Sequence, residues 1–180
     1  MGIKQVPYPR GQLLEEVMNQ YGNDVLYLAF SYVKNYEMAE DLAQDVFIRF
    51  YEKIDTFRGE ASYRTWLYRI TVNRCKDYLR SWNYNKTFLN DKIVDFVKGN
   101  ASSPEQIVVS NDENEELTMH VLSLPVKYRE VIYLYYFQEM SLQELSDCLI
   151  INISTVKTRL TRAKELLREK YPEGVLLDGE

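Results

Sequence analysis

Residues 154–169, STVKTRLTRAKELLRE, follow directly on Ser141–Ile153, SLQELSDCLIINI, and together they read as a helix, a turn and a second helix. Ser141 with Glu144 three residues later is a capping box, in which each side chain satisfies a backbone N–H of the first turn. Leu142, Leu145 and Leu149 supply the apolar stripe of the first helix. In the second helix Ser154 is placed to cap, and Val156, Leu160, Ala163 and Leu167 recur at helical spacing on one buried face. The far side then carries Thr158, Thr161, Arg162 and Glu165, with Thr155, Lys157 and Arg159 on its flanks. Thr155 to Lys170 holds six Lys or Arg against two Glu, a local net of +4 in a chain of net charge −5. Such a face suits a DNA major groove, where Arg forks onto guanine and Lys meets phosphate. A solvated amphipathic helix in a bundle is the other reading of the same pattern.

The chain has 180 residues, 46% of them apolar, enough for one good core or two small ones. Its acidity argues against indiscriminate coating of nucleic acid, so DNA binding must come from local basic surfaces. No apolar run approaches the roughly 20 residues that span a bilayer, and no signal segment precedes the first helix. The expected location is the cytoplasm. Met1-Gly2 resembles the start of a myristoylation signal, but Val6 stands where Ser or Thr is required. Cys75 and Cys148 lie far apart without CxxC spacing and read as reduced, buried thiols. His120 is the only histidine, so zinc sites and His-based triads lack their parts. No Gly-rich phosphate loop is present. Neither catalytic residues, metal, cofactor nor small-molecule substrate is expected, and the chain does not read as an enzyme.

Periodicity is helical almost throughout, which predicts an all-α fold with helices over 11–34, 37–56, 62–82, 114–122, 126–138, 142–149 and 155–170. Gly99, Asn100, Ser102, Ser103 and Pro104 form a breaker cluster. From Leu89 to Glu116 seven acids face two bases, a net of −5. Two small helical domains, 8–88 and 114–172, are therefore expected, joined by a flexible acidic linker over 89–113.

The first domain is itself polarised. Arg58 to Lys86 holds seven bases and two acids, interleaved with Tyr63, Trp66, Tyr68, Tyr78, Trp82 and Tyr84. Cations that track phosphates beside aromatics that receive unstacked bases make a single-strand reader. Aromatics at this spacing also make an ordinary core, and Trp66, Ile70, Asn73 and Asp77 share one face. In the preceding helix Leu42, Ala43, Val46, Phe47, Phe50 and Ile54 form a core stripe, while Asp41, Gln44, Asp45 and Glu52 surround Ile48 on the opposite side. A lone exposed Ile needs no explanation. One ringed by acids and an amide also has the composition of an interface anchor with a polar rim.

Residues 26–82, with AEDLAQDVFIRFYEKI and FRGEASYRTWLYRITVNRCKDYLR, closely resemble the promoter-melting domain of extracytoplasmic-function, group 4 sigma factors. Residues 124–168 are similar to the family's second DNA-binding domain. The resemblance implies a dissociable subunit of bacterial RNA polymerase that selects promoters. It implies that Asp41, Gln44, Asp45 and Ile48 bind the core polymerase clamp. Arg58, Gly59 and Ser62 of the loop, with Trp66, Arg69, Asn73 and Arg74 of the following helix, would open the −10 element and hold an extruded base. Thr155, Lys157, Thr158, Arg159, Thr161 and Arg162 would read the −35 element, and the linker would thread toward the RNA exit path. An anti-sigma factor, often membrane-anchored, is the implied regulator. One departure stands in the turn, where the family commonly has Gly, Pro and Gly and this chain has Ile150, Asn152 and Ser154. Since a β-branched residue tolerates positive φ poorly, Asn152 is expected to take the left-handed position. A free-standing helix-turn-helix regulator and a helical scaffold that binds no DNA are the competing classes.

Overall fold

The computed structural model describes residues 9–59, 61–88 and 112–170. The expected linker lies outside them except for Asp112 and Glu113, as do Met1, Gly2 and Val6. Among the described residues every regular element is helical, so the fold is all-α. The chain divides into two compact units, Met1–Asn100 and Ala101–Glu180.

In the first unit α1 (Arg10–Val33), α2 (Tyr36–Lys53) and α3 (Tyr63–Phe88) pack against one another pairwise. Two residues turn α1 into α2. Lys34 adopts the left-handed conformation and its N–H closes on the Phe30 carbonyl at 2.8 Å. Asn35 then caps α2, its Oδ1 accepting the Met38 N–H at 2.8 Å. The inner stripe of α2, with Val46, Phe47 and Phe50, meets Leu13, Val17 and Val25 of α1 and Leu67 of α3 in one buried cluster. Each such large side chain contributes roughly 1.5–3 kcal/mol by leaving water. The last turn of α2 narrows to a 3₁₀ turn, Ile54–Thr56, which buries Ile54. Helix α3 runs to Phe88, past the expected end at 82, and the buried Tyr68 donates its hydroxyl to Asp24 of α1 at 2.9 Å.

The second unit comprises α4 (Asp112–Ser123), α5 (Val126–Ile132), α6 (Leu142–Leu149) and α7 (Ile153–Lys170). The single helix expected over 126–138 is α5 continued by a π-helical turn, Tyr133–Phe137. There the Gln138 N–H reaches the Tyr133 carbonyl at 3.2 Å, and the Tyr133 and Phe137 rings stack 5.5 Å apart. Consecutive Arg129 and Glu130 are both buried and serve different neighbours. Arg129 donates to the Leu122 carbonyl at 2.6 Å, closing the end of α4. Glu130, only 2% exposed, accepts from Arg159 of α7 at 2.9 Å.

The turn between α6 and α7 corrects the sequence reading. Ile150, not Asn152, takes the left-handed conformation, with φ 55° and ψ 49°. From there its N–H, and that of Ile151 at 3.2 Å, reach the Ser146 carbonyl and satisfy the end of α6. Asn152 is used as a cap instead, its Oδ1 accepting from the Ser154 N–H and hydroxyl, both at 2.9 Å. Ser154 is therefore not the cap, and α7 begins at Ile153 rather than at 155. Ile150 is 60% exposed, so its side chain gains little packing to offset the strain. Replacing it by Gly removes a left-handed penalty of about 1–2 kcal/mol, against roughly 0.5–1 kcal/mol of added chain entropy in the unfolded state. Ile150→Gly should thus stabilise the second unit by up to about 1.5 kcal/mol, read as a higher urea midpoint for its transition. A lower midpoint would mean that Ile150 packs in a way that its exposure hides.

Candidate nucleic-acid interface

Helix α7 buries Val156, Leu160, Ala163 and Leu167 completely or nearly so, which turns Ser154, Lys157, Thr158, Thr161, Arg162 and Glu165 to the surface. The Lys157 side chain has no polar partner among the described residues. Thr158 donates its hydroxyl to the Ser154 carbonyl at 2.9 Å and Thr161 to the Lys157 carbonyl at 3.1 Å. Both oxygens stay available as acceptors, with their donors committed to the helix. Arg162 pairs with Glu165 at 2.7 Å and lies 3.8 Å from Glu169. These pairs are exposed and screened, hence exchangeable for another acceptor at small cost. Thr155 is half-buried. Arg159 parts company with the others, because its guanidinium turns to the buried Glu130.

In the first unit Ser62 spends its hydroxyl as the cap of α3, accepting the Thr65 N–H at 3.1 Å. Gly59 sits at φ 69°, and an added Cβ there would meet nothing within 4 Å. Backbone angle, not crowding, therefore demands glycine at this point. Arg58 is exposed beside it. Trp66 is half-buried in an aromatic cluster, its ring centroid 5.0 Å from both Phe50 and Phe57, while Phe57 stacks on Tyr63 at 4.5 Å. The cluster forms an aromatic floor at the entry to α3. Ile70 also packs on the core, whereas Arg69 and Asn73 are exposed and unpaired among the described residues.

Arg74 is not free beside them. It donates through Nε to the Asp45 carboxylate of α2, which also accepts from Arg49 Nε at 3.0 Å. Burial pushes the Asp45 carboxyl up, yet the hydrogen bonds and charges of Arg74 and Arg49 outweigh it and hold the group below its ordinary range. What stability this contributes is present above the ordinary carboxylate range and is lost as pH falls through the lowered value. Asp45 thus turns to α3, while Asp41, Gln44 and Ile48 remain exposed on the outer stripe of α2. Ile48 is 58% exposed, and with Gln44, Leu14, Met18, Phe47 and Tyr51 it lines a groove of about 490 Å³ between α1 and α2.

Sequence reasoning passed over Met18, Tyr51, Arg49 and Glu130. Arg49 had a local signal, four residues after Asp45 on one helix. Glu130 had none, since its partner lies on another helix. Cys75 and Cys148 are free and buried, and burial pushes the Cys75 thiol up to about 12, far from a reactive thiolate. Among the described residues no His, Cys, Asp and Glu group could hold a metal ion, and no helix is long and apolar enough to cross a membrane.

Residues 17–83 match the family model for Sigma-70 region 2, and residues 115–167 match that for Sigma-70 region 4. The chain is 34% identical to the ECF RNA polymerase sigma factor SigW of Bacillus subtilis (strain 168), over 93% of this chain and 94% of that one. It is 32% identical to SigM of the same organism, over 90% and 97%. The sigma factor RpoE of Bartonella quintana, in its co-crystal with the anti-sigma factor NepR, shares the fold, with a TM-score of 0.71 at 21% identity over 89% of this chain and 98% of that one. Both halves of the chain match in the order that this family requires, and the chain therefore belongs to the extracytoplasmic-function sigma factors of the sigma-70 family, a transcription initiation factor that directs promoter-specific transcription as an alternative sigma factor.

Proposed function

We propose that residues 8–88 bind core RNA polymerase and open the −10 element, that 114–172 read the −35 element as duplex, and that 89–113 connect the two. The observation that carries this reading over a free-standing regulator is Ile48, a large apolar side chain 58% exposed beside an apolar groove, with Asp41 and Gln44 on the same stripe. A repressor that needs only its helix-turn-helix has no use for such an anchor. Asp41, Gln44 and Ile48 are the residues proposed to grip the polymerase clamp. Arg58, Gly59, Trp66, Arg69, Asn73 and Arg74 are proposed to serve the −10 strand, with Ser62 supporting the loop as a helix cap. On α7 Lys157, Thr158, Thr161 and Arg162 are proposed to meet the −35 groove, flanked by Thr155, while Arg159 is assigned to holding α7 in place. The proposed regulator is an anti-sigma factor, the class of partner present in the RpoE co-crystal; where that partner is membrane-anchored it would hold the chain at the inner face of the membrane.

Ile48→Asp should cost about 2 kcal/mol or more of core-polymerase affinity, because a charge would enter an apolar contact. Fluorescence competition for core polymerase measures this, with circular dichroism to show that helicity is intact; unchanged affinity would remove this face from the interface. On α7, Arg162 must exchange Glu165 for a base edge. Arg162→Ala should then relax preference at one −35 position by about 1–3 kcal/mol, while Lys157→Ala weakens all sequences evenly. Identical binding profiles on a −35 library for wild type and Arg162→Ala would reduce this arginine to a backbone contact.

Asn73 is exposed one turn from Ile70 and two turns from Trp66, where a strand drawn onto the aromatic floor would pass. Asn73→Ala should leave polymerase binding near normal and slow open-complex formation, and a template already mismatched at −10 should recover most of the activity because unstacking, a few kcal/mol, has been removed. Normal permanganate reactivity of the −10 region with this variant would rule out the melting role.

A further inference from the structure

Arg49 has no part in the polymerase and DNA contacts proposed above, although it shares the Asp45 carboxylate with Arg74, which does. Asp45 Oδ2 accepts the Nε–H of Arg49 from its own helix and the Nε–H of Arg74 from α3. Each guanidinium therefore keeps both terminal amino groups uncommitted, and neither arginine has another hydrogen-bond or ion-pair partner among the described residues. The three side chains carry a net charge of +1 and are between 31% and 42% exposed, so the cluster is open to an outside anion. A guanidinium held by Nε and aimed by its terminal amino groups is set for forked contact with phosphate oxygens. The cluster also adjoins the strand-opening face, since Arg74 follows the exposed Asn73 directly on α3.

We infer that Arg49 and Arg74 form a phosphate-binding site for the opened promoter strand at the −10 element, with Asp45 as the residue that positions both guanidinium groups. This rests on the sigma-factor reading of the first unit and removes Asp45 from the polymerase-binding set. It also separates two electrostatic roles for one carboxylate. If Asp45 merely offset positive charge, neutralising it would strengthen DNA binding. If it aims the two arginines, neutralising it weakens binding although the surface becomes more positive.

The test uses full-length chain assembled with bacterial core RNA polymerase, on a fork-junction probe built from a promoter that this holoenzyme selects out of random DNA. Neutral methylphosphonate linkages are placed singly along the −10 non-template strand. One linkage should weaken wild type about tenfold, and Arg49→Ala should lose a similar factor on the natural probe, become indifferent to that linkage and show a salt slope smaller by about 0.7. Asp45→Asn should also weaken binding, with Asp45→Glu restoring it. The inference is overturned if Arg49→Ala stays sensitive at every linkage, if it loses core-polymerase affinity instead, which would make the partner an acidic protein surface, or if Asp45→Asn binds the probe more tightly. Because the Arg49 side chain is 42% exposed and outside the core, Arg49→Gln provides a second variant that keeps the helix intact. A wild-type chain that fails to bind core polymerase at all would sink the sigma-factor reading along with this site, so the two failures are distinguishable.

Discussion

Burial of one stripe of α2 between α1 and α3 is the constraint on which the first unit depends. Leu42, Val46 and Phe50 are all at most 3% exposed, and at 3.6 residues per turn whatever faces the core dictates what faces water. The exposure of Asp41, Gln44 and Ile48 is thus a consequence of packing. Apolar surface leaves water on one side of the helix, and the opposite side is free to be selected for a partner. The same logic sets α3, where Leu67, Tyr68, Val72 and Cys75 are buried and Arg69 and Asn73 are not. Phe50 serves both purposes, since it closes the core and also carries the ring of Trp66.

The second unit joins its helices by polar ties as well as by its apolar core. Arg129 and Glu130, adjacent in sequence, fasten α5 to α4 and to α7 respectively. Loss of Arg159 would strip the buried Glu130 carboxylate of this cation, whereas Arg159 is itself 25% exposed and retains access to water. Lys164 adds a cation–π contact to Tyr136, with 5.5 Å between the ammonium and the ring centroid. Helix α7 is therefore held by two of its own cations, and the positive charge left free on its surface is smaller than its composition indicates.

Several features were legible because they are local. The capping box at Ser141 and Glu144 forms as the sequence implies, with reciprocal bonds of 3.2 and 2.9 Å. The apolar intervals of α7 and α2 identified the buried stripes, and Ile48 stood out against its neighbours. Other features were hidden by local rules that give the wrong answer. The preference of β-branched residues for negative φ favoured Asn152 as the left-handed residue. Closing the end of α6 needs that conformation immediately after Leu149, so Ile150 bears the strain and Asn152 is left to cap α7. The run YLYYF has ordinary helical spacing, and nothing in it marks the widened π-helical turn.

Sequence by itself determined the all-α class, the positions of most helices, the caps and the stripes, because each follows from side chains three or four residues apart on one backbone. It also carried the family resemblance, since the motifs of both domains are contiguous. Only the tertiary structure decided which charges are free. Asp45 with Arg74 and Glu130 with Arg159 are each separated by 29 residues and meet across different helices. Composition counts all four as surface charge. Packing commits them to one another, since a carboxylate and a guanidinium drawn out of water together lose less than either drawn out alone.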